Sequence, residues 1–110
     1  DCVEEVILGC VGQYGLNGFL ARIAALNAGL SIHSSAQTVN RLCASGLQAI
    51  VTGATAIDHR DMDIVVAGGA ESMSNFPYCS YQTRFGARMG DIVTKDALTT
   101  DRSAKNLIVK

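Results

Sequence analysis

The stretch NRLCASGLQA, residues 40–49, sets one cysteine between a β-leaning run and a run with helical spacing, and follows it with small residues. Upstream, SAQTVN (35–40) is short and β-leaning; downstream, Leu47, Ile50, Val51, Ala54 and Ile57 recur at three- and four-residue steps as far as Asp58 and His59. The pattern predicts a strand, a tight junction at Cys43, and a buried helix of small and branched residues.

Working outward, Val3 to Val11 carries Val3, Val6, Ile7, Leu8 and Val11, closes on Gly12, and reads as a strand entering a glycine-marked loop. From Asn17, a candidate N-cap, Leu20, Ile23, Ala24, Leu26 and Leu30 keep an amphipathic helical spacing, with Gly29 as a stop signal. On the other side, DIVVA (Asp63 to Ala67) is continuously apolar, as expected of a central parallel strand covered on both faces, and Gly68 and Gly69 are read as ending it. The predicted order is β-α-β-α-β, a layered α/β unit with mainly parallel strands. Beyond Gly69 the periodicity dissolves. AESMSNFPYCSYQTRFGARMGD holds the chain's only proline and most of its aromatic residues, and is predicted to be a long loop region. The remainder, IVTKDALTTDRSAKNLIVK, is weakly periodic and is expected to begin and end in short helices.

Composition narrows the class. With 110 residues, 48% hydrophobic and 17% charged, the chain can bury a small core and is not a disordered polar segment. A net charge of -1 and scattered basic residues give no field for nucleic acid, and no apolar run is long enough for membrane insertion. The start, DCVEEVILG, has neither the basic region nor the cleavage pattern of a targeting peptide. Cys2, Cys10, Cys43 and Cys79 are widely spaced with no C-x-x-C pair, so neither a metal site nor a paired redox motif is expected. Reduced thiols in the cytoplasm or an organelle matrix fit an apolar chain that needs no covalent staples.

Cys43 is the candidate nucleophile. The positive end of a helix favours the thiolate form, and the cysteine's own N–H could meet charge developing on a substrate carbonyl. Ala44, Ser45 and Gly46 leave room for a substrate to approach, and Gly46 also permits close packing. Asn40 suits a turn-tying hydrogen bond. Ordinary burial as a small apolar thiol is the competing reading for every cysteine here.

TVNRLCASGLQAI (38–50) resembles the nucleophile segment of the thiolases, and DIVVAGGAESMSNFPY (63–78) and RFGARMGD (84–91) resemble two further family motifs in the family's order. The similarity extends back through VEEVILGCVGQYGLNGFLARIAALNAGL, covering roughly positions 3 to 100. This resemblance implies a thiolase-like fold and Cys43 as the residue acylated during thiolytic cleavage of 3-oxoacyl-CoA, or the reverse condensation of two acetyl-CoA molecules. It implies coenzyme A as a co-substrate with no permanently bound cofactor, and a homodimer or homotetramer, with mitochondrial or peroxisomal matrix as the organelle in a eukaryote. Met89 falls where thiolases place a methionine near the acyl pocket; Asn40, Ser45 and Gly46 would support the nucleophile loop. Tyr78, Tyr81 and Phe85 fall in the family's assembly region.

The departures matter equally. The family's activating histidine, second cysteine and asparagine-bound water belong to a later half, and no such motif occurs in this chain. His33 reads as a solvated loop residue, His59 as a cation near a helix end, and Glu71 with Ser72 as a loop-shaping pair supporting Cys43 rather than an acid-base couple. The chain is therefore expected to hold part of the N-terminal half, with residues 1–77 a partial α/β domain and 78–110 the start of a loop and oligomerisation region, and to be inactive alone. The alternatives are a non-catalytic fragment or degenerate paralogue acting as a scaffold, and another condensing enzyme of the superfamily, against which GGAESMS argues.

Overall fold

The computed structural model describes residues 2–102. Two compact units divide after Glu71. In the first, β1 (Glu5–Gly9), α1 (Leu20–Asn27), β2 (Ser35–Val39), α2 (Ser45–Asp58) and β3 (Val65–Gly69) alternate as the sequence predicts. The three strands form one parallel sheet in the order β2-β1-β3. Glu5 to Gly9 pair in step with Ser35 to Val39 on one side and Val65 to Gly69 on the other.

Side chains alternate across a strand, so each face of β1 meets a different helix. Val6 and Leu8 pack with Ala36 against Ala21 and Ala25 of α1. On the opposite face Gly53 of α2 lies against Val65 and Ala67, the register partners of Glu5 and Ile7. The result is helix, sheet, helix, with fully buried Ile7 in the middle.

Several local expectations change. The central strand is β1, while β3 lies at an edge among the described residues, leaving Ile64 and Val66 substantially exposed. Gly68 and Gly69 are within β3 instead of terminating it. Asn17 does not cap α1: it lies in a 3-10 turn, Gly15–Phe19, and its side-chain amide donates to the Gly12 carbonyl at 3.3 Å. The N-cap position of α1 is Phe19, with no side-chain cap.

Both helices also turn an unexpected face to the sheet. The buried positions are Ala21 and Ala25 in α1, and Ser45, Ala49 and Gly53 in α2, each set spaced by four. Small residues let the helix backbone come close to the strands, and the residues expected to form the core of α2, Leu47, Ile50, Val51 and Ile57, are exposed. The periodicity of α2 was legible; its inward direction was not.

The second unit begins at Ser72. It contains a 3-10 turn (Met73–Asn75), β4 (Tyr78–Cys79) paired antiparallel with β5 (Lys95–Asp96), and α3 (Ala97–Arg102). Between β4 and β5 no helix or strand forms, in keeping with the predicted loop region. The closing helix expected in the last residues lies outside the described residues. Among the described residues no helix is long and apolar enough to cross a membrane.

Candidate active site

The carboxyl ends of β1 and β3 meet the amino end of α2. What allows this is the absence of side chains: a Cβ on Gly9 would stand 2.4 Å from the Ser45 carbonyl carbon and 2.5 Å from the Gly46 nitrogen. A Cβ on Gly69 would come within 3.2 Å of the Gly9 oxygen and 3.4 Å of the Gly46 Cα. Two strand-end glycines thus seat the first turn of α2 directly on strand backbone.

The segment joining β2 to α2 is held open as an elbow. Leu42 adopts φ 49°, a left-handed conformation that costs a side-chain-bearing residue about 1–2 kcal/mol. Two side chains, Asn40 and Ser45, hold it there. Leu42 N–H donates to Asn40 Oδ1 at 3.1 Å, and Asn40 Nδ2 donates to the Val11 carbonyl at 3.2 Å. Ser45 Oγ, nearly buried, accepts from Arg41 N–H at 2.8 Å and donates to the Leu42 carbonyl at 2.5 Å. Arg41 itself reaches Gln48 Oε1 across the first turn.

Cys43 follows this elbow as a free, exposed thiol. It precedes the helix instead of lying in its first turn: Ala44 is the N-cap and Ser45 the first helical residue. Cys43 thus adjoins the helix end, where the Ala44 and Ser45 N–H groups donate to the Arg41 and Leu42 carbonyls at 3.2 and 3.0 Å. Cys43 lines a hollow of about 260 Å³ together with Gly9, Cys10, Gly46, Gly69 and Glu71. A Cβ on Gly46 would meet nothing within 4 Å, so this glycine leaves open space at the hollow and makes no packing contact through its α-hydrogen side.

Glu71 forms the far wall. Its carboxylate accepts from Val11 N–H at 2.8 Å and Gly12 N–H at 3.1 Å, and the Cys10 thiol donates to it at 3.7 Å. Burial pushes the Cys10 thiol pKa up, and the Glu71 charge and hydrogen bond add to the rise, against a lowering contact from the Gly12 backbone. Cys10 is thereby kept protonated while Cys43 stands exposed on the same hollow.

The sequence reading brings Cys43, Ser45 and Gly46 to this hollow and Asn40 to the elbow behind it. Met89 belongs to the second unit and is 98% exposed. Tyr78, Tyr81 and Phe85 are exposed in that same unit. His33 lies on the loop before β2, and His59 at the C-cap of α2, about 20 Å along a 14-residue helix from the Cys43 end. Sequence reasoning marked Gly69 only as a strand end and Glu71 only as loop-shaping, and it missed Gly9, the left-handed Leu42 and the partners of Glu71, the N–H groups of Val11 and Gly12 beyond β1. The one available signal was glycine at the ends of two apolar runs, which marks close backbone approach.

Residues 1–108 match the family model for the thiolase N-terminal domain. The chain is 56% identical over 92 residues to beta-ketothiolase BktB of Cupriavidus necator, covering 83% of the chain and 23% of that protein. It is 46% identical to an acetyl-CoA acetyltransferase of Saccharomyces cerevisiae, over 89% of the chain and 25% of the relative. It is 41% identical to the mitochondrial 3-ketoacyl-CoA thiolase of Bos taurus, over 91% of the chain and 26% of the relative. In three dimensions it resembles the Bacillus anthracis acetyl-CoA acetyltransferase with a TM-score of 0.85 at 39% identity, over 91% of this chain and 25% of that one. The chain spans about a quarter of the length of these relatives. The chain, with its glycine-seated helix behind an exposed cysteine, belongs to the thiolase family, in its N-terminal domain.

Proposed function

We propose that Cys43 is the acyl-accepting nucleophile of a thiolase-type acyl-CoA acyltransferase, and that this chain supplies the nucleophile-bearing part of it. The observation that carries the reading is the placement of an exposed thiol at the amino end of α2, on a hollow at the carboxyl ends of parallel strands. Ligands of open α/β sheets bind at that end. The Cys43 thiolate would attack the 3-oxo carbonyl carbon of a 3-oxoacyl-CoA. The bond between the carbonyl and the α-carbon breaks, acetyl-CoA leaves as its enolate and takes up a proton, and the acyl group stays on sulfur as a thioester. The thiol of coenzyme A, the co-substrate, then releases the shortened acyl-CoA and restores Cys43. Splitting the reaction at a covalent intermediate replaces one difficult step with two easier ones.

Asn40 and Ser45 hold the nucleophile loop in this reading, and Gly46 keeps the approach open. Met89 is assigned to the acyl pocket by its place in RFGARMGD. The base that accepts the thiol proton is neither His33 nor His59, whose places on the fold are remote from Cys43. The 110 residues alone therefore turn over no substrate. Assembly as a homodimer or homotetramer is assigned to the aromatic residues Tyr78, Tyr81 and Phe85, with no permanently bound cofactor. The location is the cytoplasm or an organelle matrix; the mitochondrial designation of the bovine relative supports the latter.

The experiment is mass spectrometry of the protein at its full natural length after incubation with acetoacetyl-CoA. An acetyl adduct on the Cys43 peptide, discharged by free coenzyme A, is the expected result. An adduct on another cysteine, or none, overturns the assignment.

A further inference from the structure

The sheet's own ladder stops at Gly9, one residue short of the elbow that presents Cys43. Gly9 is the last paired residue of β1, opposite Val39 and Gly69. One further backbone bond follows on each side, from Cys10 N–H to the Val39 carbonyl at 2.9 Å and from Ala70 N–H to the Gly9 carbonyl at 3.1 Å. Past that point side chains continue the cross-linking. From the end of β3, Glu71 grips the N–H groups of Val11 and Gly12; from the end of β2, Asn40 grips the Val11 carbonyl. Both groups of one backbone residue, Val11, are thus held by side chains from the two flanking strands.

We propose that Glu71 is a positioning residue for the Cys43 thiol, acting through the backbone of Val11 and the side chain of Asn40. The proposal rests on the reading of Cys43 as the nucleophile. Glu71 anchors Val11, Val11 anchors the Asn40 amide, and the other atom of that amide, Oδ1, accepts from Leu42 N–H. Leu42 is the residue in the strained left-handed conformation, immediately before Cys43. Strain of this kind persists only where the surroundings over-determine it. A carboxylate gives stronger bonds to backbone N–H groups than a neutral acceptor does, so its charge stiffens the first link of the relay. Release of that link would let Val11 and Asn40 move, and Leu42 would relax towards ordinary backbone angles, carrying Cys43 off its place at the hollow.

Hydrogen exchange and thiol alkylation test this in the protein at its full natural length, with the variants Glu71→Gln, Asn40→Asp and the double variant. Asp at position 40 keeps the acceptor for Leu42 and loses the donor to Val11. In Glu71→Gln the amides of Val11 and Gly12 should exchange faster whatever the role of Glu71. The positioning role adds a remote effect: Leu42 N–H, which does not touch Glu71, should also exchange about fivefold faster or more. Alkylation of Cys43 by iodoacetamide, referenced to exposed Cys2, should fall about threefold or more in either single variant and no further in the double variant. Unchanged Leu42 exchange, an unchanged Cys43-to-Cys2 ratio, or additive losses in the double variant would each overturn the proposal. Neither measurement uses a substrate, so failure of the relay is distinguishable from failure to form the acetyl adduct.

Discussion

The two ends of the parallel sheet each open into a hollow, and the exposed thiol of Cys43 lies on the smaller one. At the amino ends, Glu4, Ser31, His33, Asp63 and Cys2 line about 670 Å³; at the carboxyl ends the space around Cys43 is about 260 Å³. Each end is closed by a glutamate. Glu4 Oε2 accepts from Asp63 N–H at 2.5 Å and Ile64 N–H at 3.2 Å, tying β3 to β1 where the sheet starts. Glu71 makes the same kind of tie where the sheet stops. What differs is what lies behind the carboxylate. Behind Glu71 stand an asparagine-held elbow, a left-handed residue, a helix amino end and an exposed thiol. The amino-end hollow holds a cysteine, a histidine and acidic groups, yet no metal-binding cluster forms among the described residues. Close backbone approach, with Gly9 and Gly69 against the first turn of α2, distinguishes the carboxyl end.

The largest effect expected is on acyl transfer. In the protein at its full natural length Cys43→Ser should lower turnover of acetoacetyl-CoA by roughly three orders of magnitude or more while the melting temperature stays near wild type. Cys2→Ser, at the other end of the sheet, should leave turnover unchanged. A steady-state assay of both variants breaks the comparison if their losses are similar.

The next effect is structural. Gly9→Ala would force a methyl group into the backbone of Ser45 and Gly46, atoms that cannot yield without shifting α2. A destabilisation of about 3 kcal/mol is expected, read as a drop in the denaturant midpoint. Gly46→Ala faces open space and should change stability by no more than about 0.5 kcal/mol, yet reduce acylation of Cys43 by filling the approach. Equal stability losses would show that the helix end is not seated by Gly9.

These glycines also show what the sequence made legible. Element order and type in the first unit followed from periodicity, and so did the strand-to-helix junction that carries Cys43, whose role as nucleophile is the proposal made above. The inward face of each helix was not, because the rule places large apolar residues inside, whereas Ala21, Ala25, Ala49 and Gly53 make the contact. DIVVA read as central because it is continuously apolar, but among the described residues the central position belongs to β1. Long-range ties such as Glu71 to Val11 have no local pattern at all, being made across about sixty residues of chain.

A pH dependence is expected from the buried thiol of Cys10. The Cys10 pKa is raised in the folded protein by burial and by Glu71. Its contribution to stability is then fully present below the unfolded thiol value, about 8.5, and is lost as pH rises through the folded value. Melting temperatures taken from pH 7 to 10 should fall more steeply for wild type than for Cys10→Ser, whose hydroxyl keeps a donor for Glu71 and does not titrate in that range. Parallel slopes would mean that the thiol is not protected by its surroundings.

The smallest effect should come from the amino-end glutamate. Glu4→Gln keeps one acceptor oxygen for the Asp63 and Ile64 amides and removes the charge, so a stability loss of about 1 kcal/mol is expected. Its consequence for Cys43 should be nil, since five-residue strands of about 17 Å separate the two ends and the relay from Glu71 does not pass through Glu4. The measurement is the Cys43-to-Cys2 alkylation ratio at matched stability, with mild denaturant added to wild type to remove the difference in folding free energy. An unchanged ratio in Glu4→Gln beside a lowered one in Glu71→Gln assigns the effect to the elbow. A lowered ratio in both would mean that Cys43 senses the integrity of the whole sheet, and that the two glutamates are alike in role as well as in geometry.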